Sequence, residues 1–268
     1  MNDVYELYAI KYGETENRPM SENYIGGDPH DTSQNLAYFI WVATNNERTF
    51  VIDTGFNYEV AAARGRKLDR LPREGLDLIG IDAGKVEQVI ITHLHYDHAG
   101  TFTDFGNARL HLQDSEMAMA TGRCMCHAPL RLPYHVDDVC EMVRKVYAEQ
   151  VDFHNGDQEI APGISLHLCA GHAAGLQSVR VKTRRGWVMV ASDATHLYMN
   201  FKDKKPFPIM VNMAEMMESW GKLIRLGDSI DHVVPGHDPK VLEYYPAADP
   251  KLEGIVARLD LAPKVSIA

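Results

Sequence analysis

The chain has 268 residues, 45% of them hydrophobic, enough to bury the core of one large α/β domain and too few for two full domains, so a single domain over 1–268 is expected. Its 37 acidic against 27 basic residues give a formal charge of −10, which argues against nucleic acid as a partner, and the basic stretches at 64–67 and 202–205 are short, flanked by acids and read as solvated faces. Met1-Asn2-Asp3 carries no basic leader, no long apolar run occurs, and four cysteines make no disulfide framework, so a cytoplasmic protein without a membrane span is expected.

In chain order, residues 4–12 read as an edge strand and 36–43 as a second strand. The turn-like Thr44-Asn45-Asn46-Glu47 joins the latter to a third strand at 50–52, which together resemble a hairpin. Helical spacing runs over 58–71 despite Gly65 and ends at Pro72. Residues 86–91 form a central strand, 109–112 begin another, and 115–120 make a short helix with Ser115 as candidate cap. Val139, Met142, Val143 and Val146 give 136–150 helical spacing. Strand-like stretches follow at 164–169, 187–191 and 230–234. Between the last two lies a stronger helix, Met213–Leu226, with Asn212 as cap, Glu215 three residues on and Gly227 closing it. No internal repeat or low-complexity segment interrupts this order.

Directly after Val89-Ile90-Ile91, the residues His93, His95, Asp97 and His98 place four metal-binding side chains in one turn. Alternate residues of an extended chain point the same way, so His93 and His95 share a side. Asp97 and His98 lie where the chain must turn and can reach a second metal about 3.5–4 Å from the first. Three further candidates are placed alike: His172 in Ala-Gly-His, Asp193 after 187–191, and His237 in Pro-Gly-His-Asp. Each comes where a hydrophobic strand gives way to Gly, Ser or Pro, so four strands deliver their ends to one sheet edge. Without a metal, five histidines and two aspartates there would leave costly unpaired polar groups.

Thr92-His93-Leu94-His95-Tyr96-Asp97-His98-Ala99-Gly100, with Phe50-Val51-Ile52-Asp53-Thr54-Gly55 upstream, resembles the metallo-β-lactamase superfamily. The resemblance implies an αββα sandwich, two mixed β-sheets packed face to face with helices outside. It implies one metal on His93, His95 and His172, a second on Asp97, His98 and His237, and Asp193 bridging both. Two divalent ions are expected, zinc first, although the same donors accept Mn, Fe or Co. The family's zinc β-lactamases place a cysteine among their ligands, and none of Cys124, Cys126, Cys140 or Cys169 falls there. The all-His/Asp set is instead similar to the quorum-quenching N-acyl-homoserine lactonases and to glyoxalase II.

The lactonase resemblance implies a hydrolase that opens an N-acyl-homoserine lactone or related small lactone by attack of a hydroxide shared between the metals, with Asp97 as ligand and proton carrier. In those enzymes a tyrosine three residues past the bridging aspartate contacts the substrate. Here that position is His196, with Tyr198 two further on, so both are candidate contacts. Asp53 is expected to fix loops and ligand histidines from behind. The alternatives are a glyoxalase II-like thioester hydrolase, weakened because only about thirty residues follow His237, and a cyclic amide or imide hydrolase. From other classes come a mononuclear iron dioxygenase, which uses part of the ligand set, and a binding module without catalysis.

The segment 117–135, with Met117, Met119, Met125, Leu130 and Leu132, is expected to cover the site, and Met20, Tyr24 and Ile25 to form the opposite wall, which suits a small hydrophobic substrate. Cys124-Met125-Cys126-His127 has no second pair and reads as a loop. His30, His111, His127, His135, His154, His167 and His232 have no motif partner and read as surface or core residues. Tyr244, Tyr245 and the tail from Pro246 pack on the body or on a second subunit, leaving a homo-oligomer open.

Overall fold

A computed structural model describes residues 3–28 and 30–267. Met1 and Asn2, on which the expectation of no leader partly rests, lie outside the described residues. The strands in chain order are β1 (Glu6–Arg18), β2 (Gln34–Thr44), β3 (Thr49–Ile52), β4 (Lys67–Leu68), β5 (Gln88–Ile90), β6 (Arg109–Gln113), β7 (Val151–His154), β8 (Gln158–Ala161), β9 (Ile164–Leu168), β10 (Gln177–Thr183), β11 (Gly186–Ser192), β12 (Val233–Pro235) and β13 (Val256–Arg258). They form two mixed sheets, ordered β13-β1-β2-β3-β5-β6-β7, with β4 also paired to β1, and β12-β11-β10-β9-β8. The first sheet is antiparallel from β1 to β3 and parallel from β3 to β7. With helices outside, this is the αββα sandwich expected from the resemblance.

The unbroken apolar run at 36–43 is explained by β2 being covered on both faces. Ala37, Phe39, Trp41 and Ala43 pack with Ile164, Leu166, Val179 and Val181 of the second sheet. Leu36, Tyr38, Ile40 and Val42 pack with Val60, Leu76 and Met142 of the covering helices. On the far side, Met216, Trp220 and Leu223 bury one stripe of the helix Met213–Leu226 against the second sheet. Asn212 caps that helix, its side-chain oxygen accepting from Ala214 N at 3.0 Å and Glu215 N at 3.3 Å.

Several expectations are corrected. The first strand is not an edge, because β13 pairs antiparallel along Tyr8 to Ile10. The helix expected over 58–71 stops at Arg64, where Gly65 takes the left-handed conformation at φ 61° and turns the chain into β4. Pro72 does not end a helix but opens one, Pro72–Asp77, with Glu74 accepting from Leu71 N at 2.7 Å. Ser115 is no cap, since the helix Asp114–Ala120 starts before it and its Oγ donates to Ala174 O. The helix from Val136 ends at Tyr147, and 230–232 form a 3-10 turn before β12. Tyr245 is fully buried in this chain's own core and Tyr244 packs against Tyr198. Among the described residues no helix is long and apolar enough to cross a membrane.

Candidate metal centre

Five strands end at one edge of the sandwich: β3 runs into Asp53, β5 into 91–98, β9 into the loop to His172, β11 into Asp193 and β12 into His237. Two of these exits are forced into positive φ at non-glycine residues, Asp53 at 64° and Ser192 at 47°. Such a conformation costs on the order of 1–3 kcal/mol and persists only where the surroundings impose it.

The ligand atoms of His93, His95 and His172 lie within 4.8 Å of one another, and so do those of Asp97, His98 and His237. Asp193 stands between: Oδ2 is 3.3 Å from His172 Nε2 and 3.9 Å from His93 Nε2, while Oδ1 is 2.8 Å from His237 Nε2 and 3.3 Å from His98 Nε2. All seven side chains are buried. The sequence-derived ligand set is therefore brought together, in the two groups expected.

Four of the five rings are held through Nδ1, and the fifth, His95, turns its Nδ1 to His172 Nε2 at 2.9 Å. His98 Nδ1 donates to Asp53 Oδ2 at 2.7 Å, His172 Nδ1 to Ile209 O at 2.7 Å, and His237 Nδ1 to Ala37 O at 2.7 Å. His93 Nδ1 is 3.1 Å from Thr92 Oγ1, which in turn donates to Asp53 Oδ2 at 2.8 Å. Asp53 also accepts from Thr92 N through Oδ1 at 2.7 Å. Asp53 is thus the expected residue behind the candidate ligands, holding the His98 ring directly and the His93 ring through Thr92, each turned with Nε2 toward the centre.

The other nitrogens show what the site fits. His93 Nε2, His98 Nε2 and Asp193 Oδ1 are buried without a hydrogen-bond partner, although each has polar neighbours close by. Buried polar atoms are rarely left unpaired, and lone pairs converging on one another are the donor set of a divalent cation. Burial holds His93, His95 and His172 below the ordinary histidine range, which keeps them neutral and able to donate. At His98 burial opposes the charge, but Asp193, Asp53 and Asp97 together raise it well above that range. Asp193, despite burial, is held well below the carboxylate range by His237, His98 and His196. The residues present fit two divalent ions.

His196 stacks on Phe207, with centroids 3.7 Å apart at 16°, and puts Nε2 at 3.0 Å from Asp193 Oδ2. His172, Asp193 and His196 also cluster closely enough to hold a metal, which sequence did not foresee. Tyr198 does not reach the site. Leu197 N bonds Asn200 Oδ1 at 2.8 Å, starting the helix Tyr198–Lys202, and this turn buries Tyr198 against Tyr244 and Phe201.

A cavity of about 250 Å³ opens over Asp97, Asp193 and His237. Met119, Leu130 and Leu132 line it, so part of the segment 117–135 does cover the centre. Met20, Tyr24 and Ile25 are not its opposite wall. Ile25 is tied by its N–H to Pro206 O at 2.7 Å, and residues 208–211 with Thr15 and Arg18 take that place. Sequence also missed Glu116. Its buried carboxylate accepts from Leu94 N and Gly175 N, both at 3.0 Å, and from Tyr134 Oη at 2.9 Å, joining the motif loop, the His172 loop and the covering segment. The signal was an acid on the same helix face as the buried Met119 and Ala120, three and four residues on. The other conspicuous histidines stay outside the cluster, and Cys124 and Cys126 are free and exposed.

Sandwich and centre together define an α/β protein built to hold divalent metal ions where strand ends meet. The family model described as the Metallo-beta-lactamase superfamily matches residues 30–237, and the chain belongs to that superfamily. An N-acyl homoserine lactonase from Bacillus cereus is 27% identical over 188 residues, 65% of this chain and 70% of its own length. A solved quorum-quenching N-acyl homoserine lactone lactonase superposes with a TM-score of 0.74 at 24% identity, over 88% of this chain and 93% of that one. AidC, a dizinc quorum-quenching lactonase solved with N-hexanoyl-L-homoserine as product, gives a TM-score of 0.68 at 14% identity, over 89% and 92%.

Proposed function

We propose that the chain is a single-domain, metal-dependent hydrolase that opens the ring of an N-acyl homoserine lactone or a related small lactone. The observation that carries this reading is the convergence of bare nitrogens and carboxylate oxygens on the floor of a largely apolar cavity. His93, His95 and His172 would hold one ion, Asp97, His98 and His237 the second, and Asp193 both, with zinc favoured by the dizinc relative. When bound, such ions bring a shared water to a pKa of about 7 and polarise an acyl carbonyl.

The chain's own residues supply the rest. Met119, Leu130, Leu132 and Ile209 exclude water around the apolar part of the substrate. His196, at the cavity wall and locked by Phe207, is the candidate donor to a substrate oxygen. Asp97 Oδ2, 3.7 Å from His237 Nε2 and facing the cavity, can carry the proton that the leaving alkoxide needs once water adds across the ring ester. Acid release by metal-loaded and metal-stripped protein tests this on N-acyl homoserine lactones, simple γ- and δ-lactones, an acyl-glutathione thioester and cyclic imides. Metal-dependent turnover of lactones is expected. Turnover confined to thioester or imide would move the substrate class, and silence on all would overturn hydrolysis in favour of redox chemistry.

A further inference from the structure

The cavity over the centre is unevenly charged. Its acidic lining residues, Asp97 and Asp193, lie among the ligands, while its wall carries Arg18, Arg64 and Arg66. Arg18 is answered by Glu22 at 3.3 Å and by Asn23 Oδ1 at 2.7 Å. Arg64 is a strut: Nη1 and Nη2 donate to the carbonyls of Leu132 and Tyr134, both at 3.0 Å, with the guanidinium 3.9 Å from the Tyr96 ring centroid.

Arg66 is neither. Its Nε donates to Tyr96 Oη at 3.1 Å, and among the described residues its two terminal nitrogens have no acceptor. Among the described residues no carboxylate forms an ion pair with it, in a chain with 37 acids to draw on. Its aim is set. Tyr96 Oη is 2.9 Å from Tyr38 Oη, which is 2.8 Å from Thr15 Oγ1, and the Tyr38 ring stands edge-on to His237. Arg66 is thereby held two tyrosines away from His237 of the Asp97–His98–His237 group, in the same cavity. A half-buried guanidinium with no carboxylate in contact, Asp97 acting on it only from across the cavity, favours an anionic ligand, and its planar fork matches a carboxylate with two parallel hydrogen bonds.

We propose that Arg66 binds a carboxylate of the substrate, so that the ring opened here belongs to a compact, carboxylate-bearing lactone. This rests on the lactone reading above and narrows it. Water adds to the ring ester, the acyl C–O bond breaks, the alkoxide takes a proton, and the product is a hydroxy-dicarboxylate. One new carboxylate then lies at the centre and the original one at Arg66. The apolar walls fit the short carbon skeleton between them.

The test is a matched pair, γ-butyrolactone bearing a γ-carboxylate and the same ring bearing the carboxamide, with metal-loaded wild type, Arg66→Met and Arg66→Lys. Wild type is expected to favour the acid in kcat/KM by about tenfold or more, the scale of a hydrogen bond to a charged group. Arg66→Met should bring the acid down to the carboxamide's level through KM, and Arg66→Lys should keep part of the preference. Metal content shows that the centre is intact. Equal rates on acid and carboxamide in wild type, or an equal loss on both in Arg66→Met, would overturn the proposal. If neither ring opens, the lactone reading is decided by the panel above, and calorimetric binding of glutarate against its monoamide decides Arg66. A preference for the dicarboxylate that Arg66→Met abolishes upholds the carboxylate site, and equal binding sinks it.

Discussion

Two groups of buried histidines stand in contrast, the centre at the strand ends of both sheets and a pair in β6 and β7 of the first, and only the centre gathers the donors of a metal site. In the centre each anchored ring leaves its second nitrogen pointing at Asp97, Asp193 or another ring, and two of these atoms, His93 Nε2 and His98 Nε2, have no hydrogen-bond partner. In β6 and β7, His111 Nε2 meets Gln88 Oε1 at 2.8 Å, His111 Nδ1 meets His154 Nε2 at 3.0 Å, and His154 Nδ1 meets the Gln158 amide at 2.8 Å. Every nitrogen there has a neighbour from the chain itself. The centre differs from the pair in gathering carboxylates as well as rings: its second nitrogens converge on Asp97 and Asp193, two of them left unpartnered, whereas the pair closes on two glutamine side chains.

That contrast is broken most severely at Asp193. Asp193→Ala removes the carboxylate that lies between both ligand groups and leaves four histidine rings facing one another. Loss of metal retention and a fall in turnover of about 10³-fold or more are expected, read by elemental analysis and lactone hydrolysis on the same preparation. Retention of both ions with ordinary turnover would place the centre elsewhere. Asp53→Ala is the next step down. It keeps all seven ligands and removes the acceptor that fixes His98 directly and His93 through Thr92. A loss of about 10–100-fold in metal affinity or activity is expected, measured by competition with a chelator. A variant as tight as wild type would show that the rings need no anchoring.

The same contrast explains how far sequence could see. The cluster of seven candidate ligands was legible because its spacing is local: His93 to His98 lie in one turn, and His172, Asp193 and His237 each follow an apolar strand. The strands β2, β5, β6, β9 and β11 were legible through their apolar runs, and Asn212 through cap chemistry. What failed depended on a contact far along the chain in one case and on side chains folding back onto nearby backbone in two others. The first strand looked like an edge because nothing near it announces that 256–258 return to pair with it. Pro72 looked like a stop because its role as a helix opener depends on Glu74 folding back. Tyr198 looked like a substrate contact by its nearness to Asp193, whereas a helical turn starting at Leu197 buries it. Arg64 and Arg66, read within 64–67 as part of a solvated face, instead line the cavity, a placement that exists only in three dimensions.

The smallest expected effect tests the packing side of the comparison. Burial, with the charge of His154 second, lowers His111 to about 4, while an unfolded histidine titrates near about 6.5. Between those values the unfolded chain binds a proton that the folded chain refuses. Stability from this group is therefore complete above about 6.5 and falls as pH drops toward 4, by less than about 3 kcal/mol in all. Urea unfolding at pH 7.5 and pH 5 gives wild type a difference that also includes acid release of metal from the centre. His111→Gln keeps that common part and removes the titration, so the difference should narrow by about 1–2 kcal/mol with lactone turnover unchanged. An unchanged difference would mean that His111 takes up its proton without leaving the fold. The two groups of histidines would then differ in geometry and not in their response to acid.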